Sequence, residues 1–173
     1  MSRVVVITGA SAGIGAATAT LLSRQGMSLG LMARRADRLA EVAGACGPDT
    51  LAIIGDATSR ADVAQVVGQV IARFGHIDVW INNVGRGITR MPSELTDDDI
   101  DEMVRVNIKT VLYGMQEVLP HFKARGVFSN KVSADGKTII ALPVPVADRF
   151  RGAEESAGYP RLGESNDLLD RKP

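Results

Sequence analysis

Val4-Val5-Val6-Ile7-Thr8-Gly9-Ala10-Ser11-Ala12-Gly13-Ile14-Gly15 is the stretch that decides the fold. Its first half is a β-branched apolar run, which suits a strand buried on both faces. Its second half sets three glycines at G-x-x-x-G-x-G spacing. From Gly13 to Arg24, Ile14, Ala17, Leu21 and Leu22 recur at helical spacing, and Gly26 supplies a stop. Strand, glycine turn and helix in that order open a nucleotide-binding βαβ unit. In such a unit Gly9 permits the tight turn, Gly13 lets the backbone approach a pyrophosphate, and Gly15 allows close helix–strand packing. The helix start adds free N–H donors and the positive end of its dipole. The bland alternative is a glycine-rich turn that binds nothing. Its place at the end of a strand, where doubly wound sheets bind nucleotides, favours binding. No Gly-Lys-Ser/Thr follows, so it is not a P-loop.

Outward from this unit, apolar strands alternate with amphipathic helices. Leu29 to Ala33, Leu51 to Ile54 and Ile77 to Ile81 read as strands. Arg35 to Ala45 reads as a helix stopped by Gly47-Pro48. Ser59 caps a further predicted helix, whose stripe is Val63, Val66, Val67, Val70 and Ile71 and whose end is Gly75. After a loop with Gly85, Gly87 and Pro92, Thr96-Asp97-Asp98-Asp99 opens a long helix with an acidic first turn. Met103, Val106, Ile108, Val111, Leu112, Met115, Val118 and Leu119 run along it, and Pro120 weakens its end. The alternation predicts a Rossmann-type doubly wound α/β fold with a parallel sheet, incomplete at its C-terminal end. Residues 1–125 form the expected dinucleotide-binding portion. From Gly126 the texture changes. Thr138 to Leu142 is a candidate fifth strand, closed by Pro143 and Pro145, and the polar remainder of 126–173 is expected to be irregular.

Composition narrows the function classes. The 173 residues suit one domain with a sizeable core. Twenty basic and twenty acidic residues cancel, which argues against a general nucleic-acid or anionic-membrane surface. The single cysteine, Cys46, precludes an internal disulfide and suits a reducing compartment. No apolar run is long enough to span a bilayer, and Met1-Ser2-Arg3 leads into a strand without a signal-peptide pattern. A cytoplasmic enzyme or binding protein is the expected class. His76 and His121 have no Cys or acidic partners at metal spacing, so no metal site is expected.

The end of the second strand bears on cofactor choice. A ribose 2′-hydroxyl is usually held by an acid there, whereas a 2′-phosphate needs positive charge. Here the strand ends Ala33-Arg34-Arg35, and Arg34 can fork onto a phosphate. NADP is therefore expected over NAD. Alternatively, both arginines are merely solvated at a helix start.

Thr8, Gly9, Gly13 and Gly15 match T-G-x-x-x-G-x-G, and the chain here resembles the short-chain dehydrogenase/reductase family. Gly55-Asp56-Ala57-Thr58 resembles the family segment whose Asp contacts adenine; a helix cap is the alternative and compatible role. Asn82-Asn83-Val84-Gly85 resembles the family's N-N-A-G, with Val84 for Ala. Asn107 matches the asparagine that in the family joins a proton relay; a plain structural hydrogen bond is the alternative. The resemblance spans roughly residues 3–125. It implies cofactor contacts at Gly9, Ser11, Gly13, Ile14, Gly15, Arg34, Arg35, Asp56, Ala57, Asn83 and Gly85.

The family's chemistry implies Ser, Tyr and Lys, with Tyr and Lys as Y-x-x-x-K on one helix face. Neither tyrosine fits. Tyr113 is followed four residues on by Glu117, and Tyr159 by Gly163. Tyr159 falls about where the family tyrosine would stand, so Asn107 and Tyr159 are the catalytic candidates. Pro143 occupies the expected serine position, with Ser129 and Ser156 as alternatives. The one-step change at Gly126 suggests a truncated or frame-altered end. Three readings stay open. One is an NADP-dependent oxidoreductase acting on a small carbonyl or alcohol. The second is a non-catalytic NADP(H) binder or inactive remnant. The third is a fragment that associates with itself through the 100–120 helix, a face more readily read as core.

Overall fold

The computed structural model describes residues 2–126 and two further strands at 130–134 and 137–141. In chain order the elements are β1 (Val4–Thr8), α1 (Gly13–Arg24), β2 (Ser28–Ala33), α2 (Ala36–Cys46), β3 (Thr50–Ile54), α3 (Arg60–Phe74) and β4 (Val79–Ile81). A 3-10 turn at Pro92–Glu94 leads into α4 (Asp97–Met103). A π-helical turn, Val104–Lys109, joins α4 to α5 (Thr110–Ala124). Two compact units divide the chain, Met1–Val127 and Phe128–Pro173.

The first unit is a parallel α/β sheet in the order β3-β2-β1-β4. Chain order runs outward from β1 in both directions, so the order reverses beside β1. In open α/β sheets ligands bind at the carboxyl ends of the strands at such a reversal. Alternation along the strands sends side chains to both faces. Val5 and Ile7 of β1 join Leu29, Leu31 and Ala33 of β2 in one buried cluster with Ala19 of α1 and Leu39 of α2. On the other face a Val70 methyl of α3 lies directly over Gly30, where a Cβ would come within 2.5 Å of it. Every residue of β1 and β2 is buried, as continuous apolar strands between two helix layers require.

Three sequence expectations change in detail. The fourth strand shortens to Val79–Ile81 because Ile77 is otherwise engaged. Its N–H donates to His121 Nε2 (3.0 Å) and its carbonyl accepts from Arg125 (2.7 Å). The long helix runs through Pro120 to Ala124, held by Val118 and Phe122, which pack inward on either side of the proline. It is also not a uniform helix, since the π-helical turn rotates its faces. Val106, Thr110, Gly114, Val118 and Phe122 form the buried face. Ile100, Val104, Ile108, Leu112 and Met115 are 38–52% exposed. The apolar residues read together from the sequence therefore split into a core face and an outer stripe. In the second unit, the candidate fifth strand is β6 (Lys137–Ala141), which pairs antiparallel with β5 (Asn130–Ala134) in a two-stranded sheet of its own.

Candidate functional site

The carboxyl ends of β1, β2 and β3 and the loop after β4 surround a cavity of about 600 Å³. At its base is the β1–α1 turn. Gly9 and Gly13 take positive φ, +70° and +57°, which L side chains rarely adopt. Gly15 is fully packed: a Cβ there would lie 2.5 Å from the Gly9 carbonyl oxygen and 2.6 Å from Asn83 Nδ2. Helix and strand therefore approach as closely as backbone allows.

Asn83 locks this turn to the end of β4. Its backbone N–H donates to Thr8 Oγ1 (3.1 Å), and its Nδ2 donates to the carbonyls of Thr8 and Gly9 (3.2 Å each). Thr8 Oγ1 in turn donates to the Ile81 carbonyl (3.3 Å). The neighbouring Asn82 accepts from the Trp80 indole (2.9 Å).

The helix start is open. Ala12 stands at the N-cap of α1 with no side-chain cap, and the first turn holds no acid. By contrast, Ser59 caps α3, and Thr96 with Asp99 forms a capping box on α4. Uncapped N–H donors at the base of a cavity suit an anionic group such as a pyrophosphate. Ile14, 79% exposed, stands at the cavity wall.

The far side of the cavity carries the cations. Arg34 Nη1 lies 3.7 Å from Asp56 Oδ2 with most of its side chain in solvent. Arg35 turns the other way, its Nη2 donating to Ser11 Oγ of the glycine turn (3.2 Å). Asp56 Oδ1 accepts from the Thr58 N–H and hydroxyl (2.9 Å each). Burial pushes the Asp56 carboxyl up. The Thr58 hydrogen bonds and the Arg34 and Arg105 charges outweigh it and hold the carboxyl below the ordinary carboxylate range. The helix cap expected of Asp56 or Thr58 falls instead to Ser59, while Asp56 and Ala57 line the cavity.

Of the residues anticipated from sequence, Gly9, Ser11, Ile14, Arg34, Arg35, Asp56, Ala57, Asn83 and Gly85 line this one cavity. Gly13 and Gly15 are not among the lining residues; they flank Ile14, which is. Asn107 is not among them either. Its Oδ1 accepts from the Arg86 N–H (2.8 Å) and its Nδ2 donates to the Arg86 carbonyl (2.9 Å). Both polar ends thus clamp the loop after Gly85, the structural hydrogen bond left open as the alternative. Tyr159, Ser129, Ser156 and Pro143 lie outside the described residues. Tyr113, on α5, lies under the Arg60 guanidinium, 4.6 Å from its ring centre.

Sequence reasoning missed Thr58, Arg86, Glu102 and Val106, which also line the cavity. One signal was available: Glu102 and Val106 are four apart, on the helix face that leads to Asn107. Among the described residues, no group of three His, Cys, Asp or Glu could hold a metal ion. Nor is any described helix long and apolar enough to cross a membrane.

Comparison with known proteins agrees with this geometry. The short chain dehydrogenase sequence profile matches residues 3–139. An uncharacterized oxidoreductase of Staphylococcus haemolyticus is 36% identical over 166 residues, covering 88% of this chain and 71% of that protein. The crystal structure of a 3-ketoacyl-(acyl-carrier-protein) reductase from Brucella melitensis complexed with NADH superposes with TM-score 0.68 at 28% identity. It covers 72% of this chain and 52% of that one. An actinorhodin polyketide ketoreductase with NADPH, a F189W variant, gives TM-score 0.68 at 28% identity, covering 72% and 50%. The chain thus spans about half the length of these solved structures.

Proposed function

The chain belongs to the short-chain dehydrogenase family, and from that premise we propose that it is an NADP-dependent oxidoreductase. The carrying observation is the pair of cations at the cavity's far side. Ala33 stands where an acid would take a ribose 2′-hydroxyl, and Arg34 and Arg35 follow it into the cavity wall. Solved neighbours hold both NADH and NADPH, so the arginines and not the fold carry the preference.

The residues divide the binding work. The open start of α1 would take the pyrophosphate, with the Gly9 turn held against β4 by Asn83. Arg34 and Arg35 would take the 2′-phosphate, Asp56 and Ala57 the adenine, and Gly85 leaves room beside the ribose. The bound cofactor supplies hydride at the nicotinamide ring, exchanged with a small carbonyl or alcohol. Asn107 fixes the loop that follows Gly85, and Tyr159 is the proposed proton donor or acceptor.

A second reading has its own support. No Y-x-x-x-K occurs in these 173 residues, so a protein that binds NADP(H) without turning it over fits the same cavity. Fluorescence titration with NADPH, followed by its oxidation against a carbonyl panel, separates the two. Turnover abolished by Tyr159→Phe supports the enzyme. Binding without turnover supports the binder, and no binding at millimolar NADPH removes both.

The outer stripe Ile100, Val104, Ile108, Leu112 and Met115 supports a homo-oligomer joined through the 100–120 helix. A cytoplasmic location suits the single unpaired Cys46 and an NADPH-dependent reaction.

A further inference from the structure

Arg105 sits on the π-helical turn, one residue before Val106. Its Nη1 donates to Thr58 Oγ1 (2.7 Å) across the gap between that turn and the β3–α3 loop. Its Nε and Nη2 donate to the two oxygens of Glu102 (2.7 and 2.9 Å). Glu102 Oε1 also accepts from Arg86 Nη1 (3.1 Å). One guanidinium and one carboxylate therefore tie together three segments of the cavity wall. Arg105 itself is not part of that wall.

The bond polarity runs one way. A guanidinium donates and a carboxylate accepts, so the Thr58 hydroxyl must accept from Arg105 and give its proton to Asp56 Oδ1. That leaves Asp56 oriented as an acceptor at the cavity. Fold stability does not call for this arrangement, because half-exposed ion pairs contribute little and both nearby helix starts are already capped.

We propose that Arg105 is a positioning residue for the adenosine end of the dinucleotide, acting through Thr58 on Asp56 and holding Val106 opposite. This rests on the cofactor reading given above.

Titration calorimetry on the full chain tests it with two probes. Adenosine 2′,5′-bisphosphate reports the adenosine end, and nicotinamide mononucleotide the other. Arg105→Ala and Thr58→Val should each weaken the bisphosphate by about three- to tenfold, as loss of a hydrogen bond in a half-exposed site implies. The double variant should be no worse than the stronger single one, because both break the same relay. Arg105→Lys should recover part of the loss. In Arg105→Ala the fall in affinity on acidification should begin at higher pH, since Asp56 loses a cation that keeps it ionised. Mononucleotide affinity and the urea midpoint should stay at wild-type values. Unchanged bisphosphate affinity in Arg105→Ala, additive losses in the double variant, or parallel loss of both probes would each overturn the inference. A wild type that binds neither probe overturns the cofactor reading itself, and this inference with it.

Discussion

Replacing Gly15 with alanine adds one methyl at the most crowded point of the site. The new Cβ would stand 2.5 Å from the Gly9 carbonyl oxygen and 2.6 Å from Asn83 Nδ2. Neither is the loose end of a flexible side chain. The Gly9 oxygen is backbone, and the Asn83 amide is held by two carbonyls. Overpacking of this kind costs about 1–3 kcal/mol. Displacing the amide removes hydrogen bonds of about 1 kcal/mol each. Against this, alanine gains about 1 kcal/mol of helix propensity over glycine. The net loss is then about 2–4 kcal/mol, which at a urea m-value near 2 kcal/mol/M lowers the midpoint by about 1–2 M. NADPH affinity should fall as well, because the turn that meets the pyrophosphate must move. Gly44→Ala is the control. It lies within α2 with nothing inside 4 Å of its added Cβ and no positive φ. It should therefore raise stability by about 0.5–1 kcal/mol. The reasoning is refuted if Gly15→Ala unfolds at or above the wild-type midpoint while Gly44→Ala shows no gain.

Other perturbations test other parts. Arg34→Ala should weaken NADPH by about tenfold or more while leaving NADH nearly unchanged, since a charge-assisted phosphate contact contributes about 1.5–3 kcal/mol; equal losses for both cofactors would remove the 2′-phosphate assignment. His121 accepts the Ile77 N–H at Nε2, which only the unprotonated nitrogen can do, and burial, with Arg125 and His76 nearby, lowers its pKa against the attraction of Asp78. The folded state therefore disfavours the imidazolium. Its contribution is present in full above the ordinary histidine value near 6.5 and is lost as pH falls from there toward the lowered folded value, at no more than about 1.4 kcal/mol per pH unit. His121→Gln, which can still accept from Ile77, should flatten that slope in urea titrations at stepped pH. Leu112→Glu, in the centre of the exposed stripe, should shift sedimentation toward the monomer without loss of secondary structure, and an unchanged sedimentation coefficient would leave the stripe without a role in association.

The most legible features were those dictated by backbone geometry. Gly9, Gly13 and Gly15 mark a turn whose φ values and close approach leave few alternatives, and β1 and β2 are buried along their length as their unbroken apolar runs require. Less legible was whatever depends on a partner distant in sequence. Ile77 reads as strand, yet His121 and Arg125, more than forty residues away, take its N–H and carbonyl. The π-helical turn leaves no local mark, because its sequence Val104–Lys109 suits an α-helix as well. It decides which residues of the long helix face inward, so a periodicity count based on 3.6 residues merged two faces into one. Arg105 was invisible for the same reason: its reach to Thr58 spans 47 positions and exists only once the turn has aimed it.

On the reading proposed above, binding and reaction call on different parts of this molecule. The groups proposed for the cofactor all converge at the ends of β1, β2 and β3, within the first compact unit. There they need little from elsewhere, because a helix start, a glycine turn and two arginines are local devices. Asn107 bonds the Arg86 N–H through Oδ1 and the Arg86 carbonyl through Nδ2, so its side chain sets the position of that loop. Tyr113 packs beneath Arg60 on the seam between α3 and α5, away from the cavity wall. On the enzyme reading proposed above, Tyr159 is the tyrosine left for the acid–base role. On that reading cofactor affinity and turnover are separable properties, and loss of the second need not disturb the first.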